Sequence, residues 1–252
     1  MRSRIIGLIL IKDGLAVQSI NFKKFLPLGR VEILMEHLLR WGIDEITLLD
    51  ITKDVEFKDR FYKNLRNISR NCNVPIAVGG GIKNIKNADF IFANGGDKII
   101  INTEFFNRPK ILNDLSNKYG KQSVILSIDL KKIGNNYFIF INNGRTKMDI
   151  NFKSFIKKID YLEIGEVLIN SIDRDGSKKG YDLELLKLVK KNVNIPINFT
   201  GGVGKKEHFI QPLLLKINGL CCGNYFSFSE KSVFIVKNFL SSKYKNLIRY
   251  KY

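Results

Sequence analysis

"PIAVGGG" (residues 75–81) and "PINFTGG" (residues 196–202) are one pattern written twice, about 120 residues apart. Each sets a proline before a short run and closes the run with glycines. A short apolar run bounded by turn residues reads as a buried strand that hands over to a loop. Other features recur at the same distance: "LLDI" (48–51) with "INSI" (169–172), and Leu10 with Asp129. Such an internal repeat predicts a fold built from two similar halves.

Working outward from the two glycine turns, eight runs have strand character: "RIIGLILI", "EITLLDI", "PIAVGG", "DKIIIN", "SVILSIDL", "EVLINSI", "PINFTGG" and "GLCCGN". Between them lie amphipathic stretches with apolar residues at three- and four-residue spacing, among them "VEILMEHLLRWG", "KDRFYKNLRNISRN", "RPKILNDLSNKYG", "YDLELLKLVKKN" and "SVFIVKNFLSSKY". Strands alternating with helices predict parallel pairing. Eight such units in 252 residues predict an α/β protein, a single (β/α)8 TIM barrel. The expected domain spans 1–252, with half-barrels at about 1–120 and 121–240 and a short basic tail, "SSKYKNLIRYKY". "YFIFINNGRTKMDIN" has a different alternation and an Asn-Asn-Gly turn, so it reads as a hairpin inserted after the fifth strand.

A hydrophobic content of 44% supports a sizeable core and argues against general disorder. No run approaches the roughly 18 apolar residues of a membrane span, and the apolar start is too short for a secretory signal, so the expected location is cytoplasmic. The net charge of +18 raises a nucleic-acid role. The lysines are scattered, however, and do not interleave with aromatics into a stacking platform, so neither nucleic acid nor membrane is an expected partner. Cys72, Cys221 and Cys222 do not have metal-ligand spacing and read as reduced core residues, and neither a metal nor any other cofactor is expected.

In a barrel of this kind the chemistry lies just after the strands. Glycine turns there expose backbone N–H groups to a phosphate, and two turns in matching positions predict two phosphate sites across the mouth. Asp129, in "SIDLK", ends the fifth strand as a candidate general acid or base. Asp173 and Asp175, in "NSIDRDG", are equally suited to chemistry or to bracing their loop. Arg4, Glu45, Lys98 and Glu166 sit at or just before strand starts, at the opposite end. They could close a ring of ion pairs across the axis, which on spacing alone reads as a stabilising feature.

"KDG", "GIDEITLLDIT", "VGGGI", "DKIIINT", "SIDLK", "GEVLINSIDRDGSKKGYD" and "TGGVGKKEHF" together resemble the HisF family, the cyclase subunit of imidazole glycerol phosphate synthase, over nearly the whole chain. The resemblance implies a barrel that docks a HisH-like glutaminase on its bottom face as a heterodimer, near Asp97. Ammonia would then pass along the axis to a bis-phosphorylated small molecule at the top. It implies that Arg4, Glu45, Lys98 and Glu166 gate the ammonia channel. Gly80, Gly81, Thr103, Gly201, Gly202, Gly223 and Asn224 would hold phosphate, and Asp50, Asn102, Asn170, Asp175 and Ser177 would surround the substrate.

Asp129 matches one of the family's two catalytic aspartates, but the other falls on Leu10. A basic residue of the first loop is likewise replaced by Gln18. Removing a positioned acid or base typically costs about 10² to 10⁴ in rate. The leucine resembles a paralogous branch associated with sugar amidination in surface-polysaccharide loci. The expectation drawn from it is a synthase-type subunit that delivers ammonia for N-acetyl sugar amidination, without full cyclase activity and with a sugar amidotransferase as a further partner. The alternative is the cyclase of histidine biosynthesis.

Overall fold

The computed structural model describes residues 2–53 and 55–249, apart from the side chains of 55–60 and 63. Residues 1 and 54 and the end of the basic tail, 250–252, lie outside that description. Twelve strands form among the described residues: β1 Arg4–Lys12, β2 Leu15–Ile20, β3 Lys24–Gly29, β4 Glu45–Asp50, β5 Ile76–Gly79, β6 Lys98–Ile101, β7 Val124–Ile133, β8 Asn136–Ile141, β9 Thr146–Asn151, β10 Glu166–Ser171, β11 Ile197–Thr200 and β12 Gly219–Cys222. Eight of them pair in parallel in the order β1-β4-β5-β6-β7-β10-β11-β12, and β12 closes back on β1. This is a (β/α)8 barrel, and each of its strands begins in one of the eight runs read from the sequence, with β1 and β7 extending past the ends of theirs.

The helices α1 Val31–Arg40, α2 Val55–Ser69, α3 Ile85–Ala93, α4 Thr103–Asn107, α5 Ile111–Tyr119, α6 Phe152–Phe155, α7 Leu183–Asn192, α8 Ile210–Leu214, α9 Asn224–Phe228 and α10 Ser232–Tyr244 follow the strands. Their apolar stripes meet the outer faces of the strands; α1, for example, buries Val31, Met35 and Leu38. The short α3 has no counterpart among the stretches read as helical. Asn84 starts it by accepting a hydrogen bond from the Asn87 N–H at 3.0 Å.

Side chains on a strand alternate between faces, and β1 shows what that does here. Ile5, Ile9 and Ile11 join the main core under the helices. Ile6 belongs to a separate apolar cluster inside the barrel, with Ala77, Ile100, Ile125, Leu168 and Cys221. The bottom of β1 is anchored by the buried Asp44, whose Oδ2 accepts from the Ile5 N–H at 2.8 Å while Oδ1 accepts from Lys237 Nζ of α10 at 2.6 Å.

Two strands run on beyond the barrel. β7 continues into the antiparallel hairpin β8–β9, the insertion expected after the fifth strand. β1 continues into a second hairpin, β2–β3. The resemblance implies only a first loop here, carrying Gln18, and the structure forms a strand pair from it although Pro27 lies within β3. Pro27 is tolerated because β3 is an edge strand that pairs only with β2. Gln18 lies in β2 opposite Leu26 and is buried. All three cysteines are free, with Cys221 and Cys222 buried. No helix among the described residues is long and apolar enough to cross a membrane.

Candidate functional site

At the C-terminal ends of the strands a cavity of about 510 Å³ opens, lined by Leu10, Asp50, Gly80, Gly81, Asn102, Thr103, Asp129 and Asn170. A second cavity, of about 40 Å³, is lined by Asp175, Gly176, Gly201, Gly202, Gly223 and Asn224. Leu10 lines both and stands at their junction. The mouth therefore gathers all but one of the residues expected to bind phosphate or substrate. The exception is Ser177, which accepts from the Lys179 N–H at 3.3 Å and lines neither cavity.

The two glycine turns are built alike. Gly80 and Gly81 have φ of 113° and 68°, and Gly201 and Gly202 have φ of 107° and 98°. Those angles favour glycine, and the first glycine of each pair also needs the space. A Cβ on Gly80 would run into the Asp50 carbonyl oxygen, and one on Gly201 would lie 2.8 Å from that of Ser171. Beside the first turn, Thr103 Oγ1 accepts from the Asn142 N–H at 3.0 Å, which leaves its own hydroxyl proton to donate elsewhere.

Asp129 is buried at the end of the inward face of β7 and accepts from Asn102 Nδ2 at 2.9 Å. Burial raises its pKa to about 7, against the hydrogen bonds of Asn102 and Asn170 and with help from the charge of Asp175. A carboxyl with that value exchanges protons near neutral pH, as general acid–base work requires. Leu10 occupies the matching end of β1 and carries no titratable group.

Both aspartates of the sixth loop brace neighbouring segments, and Asp175 also lines the smaller cavity. Asp173 Oδ2 accepts from the Lys132 N–H at 2.6 Å. Asp175 Oδ2 accepts from Ser19 Oγ at 2.5 Å and from the Phe22 N–H at 3.1 Å, which ties the β2–β3 hairpin across the mouth. Burial raises the pKa of Asp175 against those two hydrogen bonds.

At the other end of the barrel the four charged residues meet. Arg4 donates to Glu45 at 2.5 Å and to Glu166 at 2.7 and 3.1 Å, while Lys98 donates to Glu166 at 2.7 Å and to both oxygens of Glu45 at 3.1 Å. Burial pushes against charge at Arg4, Glu45 and Glu166. At Glu166 the hydrogen bonds and charges of Arg4 and Lys98 overcome it and hold the carboxyl down to about 2. At Glu45 burial wins over the same two cations, and the pKa rises. Neighbouring Asp97 is exposed at this face and accepts from the Ile76 N–H at 2.8 Å. Two residues beyond Arg4, Lys98 and Glu166, Ile6, Ile100 and Leu168 belong to the inner apolar cluster, while β4 places the buried Thr47 there; two beyond that Leu8, Leu49, Asn102 and Asn170 reach the mouth. The ion-pair ring, the apolar layer and the mouth are thus stacked along one axis.

Residues 4–231 match the family described as "Histidine biosynthesis protein". The chain belongs to the HisF family. It is 36% identical over 220 residues to imidazole glycerol phosphate synthase subunit HisF of Sulfolobus acidocaldarius, covering 87% of this chain and 88% of that one. It is 31% identical over 240 residues to the HisF subunit of Thermotoga sp., with 95% of each covered. A protein of Vibrio vulnificus named as subunit hisF2 is 33% identical over 238 residues, which cover 94% of this chain and 88% of that protein.

Sequence reasoning missed three parts of this HisF-type site. The β2–β3 hairpin was hidden by Pro27. The role of Asp175 as its clasp needs the hairpin to be seen first. The third is Asn198 of β11, whose amide reaches the ion-pair ring; its only signal was a polar residue between two apolar ones in "PINFT".

Proposed function

We propose that this protein is the synthase subunit of a glutamine-dependent complex. A HisH-like glutaminase docks at the bottom face beside Asp97, ammonia passes the ring of Arg4, Glu45, Lys98 and Glu166, and a bis-phosphorylated acceptor in the mouth receives it. The glycine turns with Thr103 and Asn224 hold the phosphates, Asp50, Asn102 and Asn170 surround the acceptor, and Asp129 moves protons. The names of the relatives favour the cyclase of imidazole glycerol phosphate synthase, in histidine biosynthesis, as the reaction. The observation that carries the proposal is the stacking on one axis of a charged ring, an apolar layer and a buried carboxyl with a pKa of about 7.

Leu10 supports a second reading. It places a leucine where the cyclase chemistry calls for a carboxylate, and a subunit that only delivers ammonia has no use for that group. The acceptor would then be an N-acetyl sugar modified with the help of a sugar amidotransferase. The relatives give this reading no support, and it rests on Leu10 alone.

One experiment separates the two. The protein is purified with a HisH-like partner and supplied with the bis-phosphorylated histidine precursor, using either glutamine or an ammonium salt as nitrogen source. Formation of imidazole glycerol phosphate from both sources supports the cyclase. Absence of product from either source, with active glutaminase, rejects it and leaves ammonia delivery.

A further inference from the structure

Asn198 occupies an inward position of β11, between Ile197 and Phe199, which pack under the helices. Its amide closes a triangle with two members of the ring. Nδ2 donates to Glu166 Oε2 at 2.6 Å, Oδ1 accepts from Arg4 Nη2 at 3.1 Å, and the same Arg4 nitrogen donates to Glu166 Oε2 at 2.7 Å. The side chain is 3% exposed, so water cannot readily take over either bond.

One neighbour and one repeat counterpart show that this contact is particular to β11. Gly219 faces Asn198 across the β11–β12 pair, and a Cβ there would run into Asn198 Oδ1. In the echoed motif the same place is held by Ala77, which pairs with Lys98 and carries no hydrogen-bonding side chain. The Arg4–Glu166 edge of the ring is therefore cross-braced by a neutral amide, whereas the Glu45–Lys98 edge is held by its own ion pair at 3.1 Å.

We propose that Asn198 is a fifth member of the gate, a positioning residue that holds the Arg4 guanidinium against Glu166 and fixes which edge of the ring stays shut as ammonia passes. This deepens the conduit reading and rests on it. An amide suits the task because it offers a donor to the carboxylate and an acceptor to the guanidinium at once, without adding charge.

The test uses Asn198→Leu, which keeps the branched shape and removes both hydrogen bonds, with nitrogen NMR of the Arg4 guanidinium as the main signal. In the native protein the Arg4 Nη groups are expected to give distinct, slowly rotating resonances. In Asn198→Leu they should merge, and the Glu166 carboxyl should titrate about one pH unit higher, since a hydrogen bond to its charged form is gone. Gly219→Ala provides a second route should the first variant fold poorly, because its new Cβ displaces the amide while Asn198 itself is unchanged. Arg4 resonances that stay distinct in a folded variant overturn the proposal.

In the assembled complex, Asn198→Leu is expected to lower at least twofold the share of glutamine nitrogen that reaches the acceptor, at an unchanged glutaminase rate. An unchanged share overturns the gating role even if Arg4 is freed. A native complex that transfers no nitrogen sinks the conduit reading instead, and with it the gating role, whereas distinct Arg4 signals in the variants would remove Asn198 alone.

Discussion

β1 and β7 are built alike and end differently. Each begins below the barrel's inner layer, runs up its wall, and continues past the rim into an antiparallel hairpin. Leu10 pairs with Val17 of its hairpin and Leu49 of the next barrel strand, while Asp129 pairs with Phe140 and Asn170 at the corresponding places. Around Asp129 two amides, Asn102 and Asn170, moderate what burial does to the carboxyl. Around Leu10 the paired strand ends are apolar. One scaffold thus presents a proton-exchanging wall on one side of the mouth and an inert wall on the other, and the difference is made by a few side chains at strand ends.

The largest test of that contrast is to remove its active side. Asp129→Asn is expected to lower turnover about 10²- to 10⁴-fold in an assay of the mouth's chemistry, with acceptor binding little changed. The next is to make the inert side active. Under the cyclase reading, Leu10→Asp is expected to raise imidazole glycerol phosphate formation by about 10². No gain would mean that the pocket had diverged further than one residue.

A smaller effect concerns stability. The folded pKa of Asp129, about 7, lies above its ordinary value, so the folded state holds the proton more tightly than the unfolded chain does. Its contribution is therefore fully present below about pH 4 and is lost as pH rises to about 7. Asp129→Asn should abolish that fall and leave the variant roughly 2 kcal/mol more stable than the native protein at pH 8, as denaturant titrations at pH 5 and pH 8 would show. Leu10→Asn should show no such pH-dependent gain. The smallest effect is at the hairpins: Ser19→Ala removes one hydrogen bond to Asp175 and should cost about 1 kcal/mol, read as faster amide exchange in residues 15–29 only.

The barrel was legible because its strands are short runs of β-branched residues closed by turn residues, and both signals are local. The mouth was legible in outline for the same reason, since Gly80 and Gly201 advertise turns that other residues cannot make. The ring was legible only as a set of four charges near strand starts. Whether Arg4, Glu45, Lys98 and Glu166 point along the axis depends on the stagger of strands far apart in the chain, which no local pattern records. Asn198 was invisible for that reason too, because its meaning depends on Gly219 across the next strand. Asp175 suits chemistry and bracing alike in the sequence, and only the folded hairpin shows its bonds to Ser19 and Phe22.

The two hairpin tips meet above the mouth, where a Cβ on Gly144 would lie 2.8 Å from the Phe22 ring. Phe22 and Asn143 both line the larger cavity beneath. If an acceptor is to sit beneath these tips, as the proposed function requires, its capture is expected to be a two-step event in which separation of the tips comes first. The observed binding rate should then stop rising with acceptor concentration and level off at the rate at which the tips part.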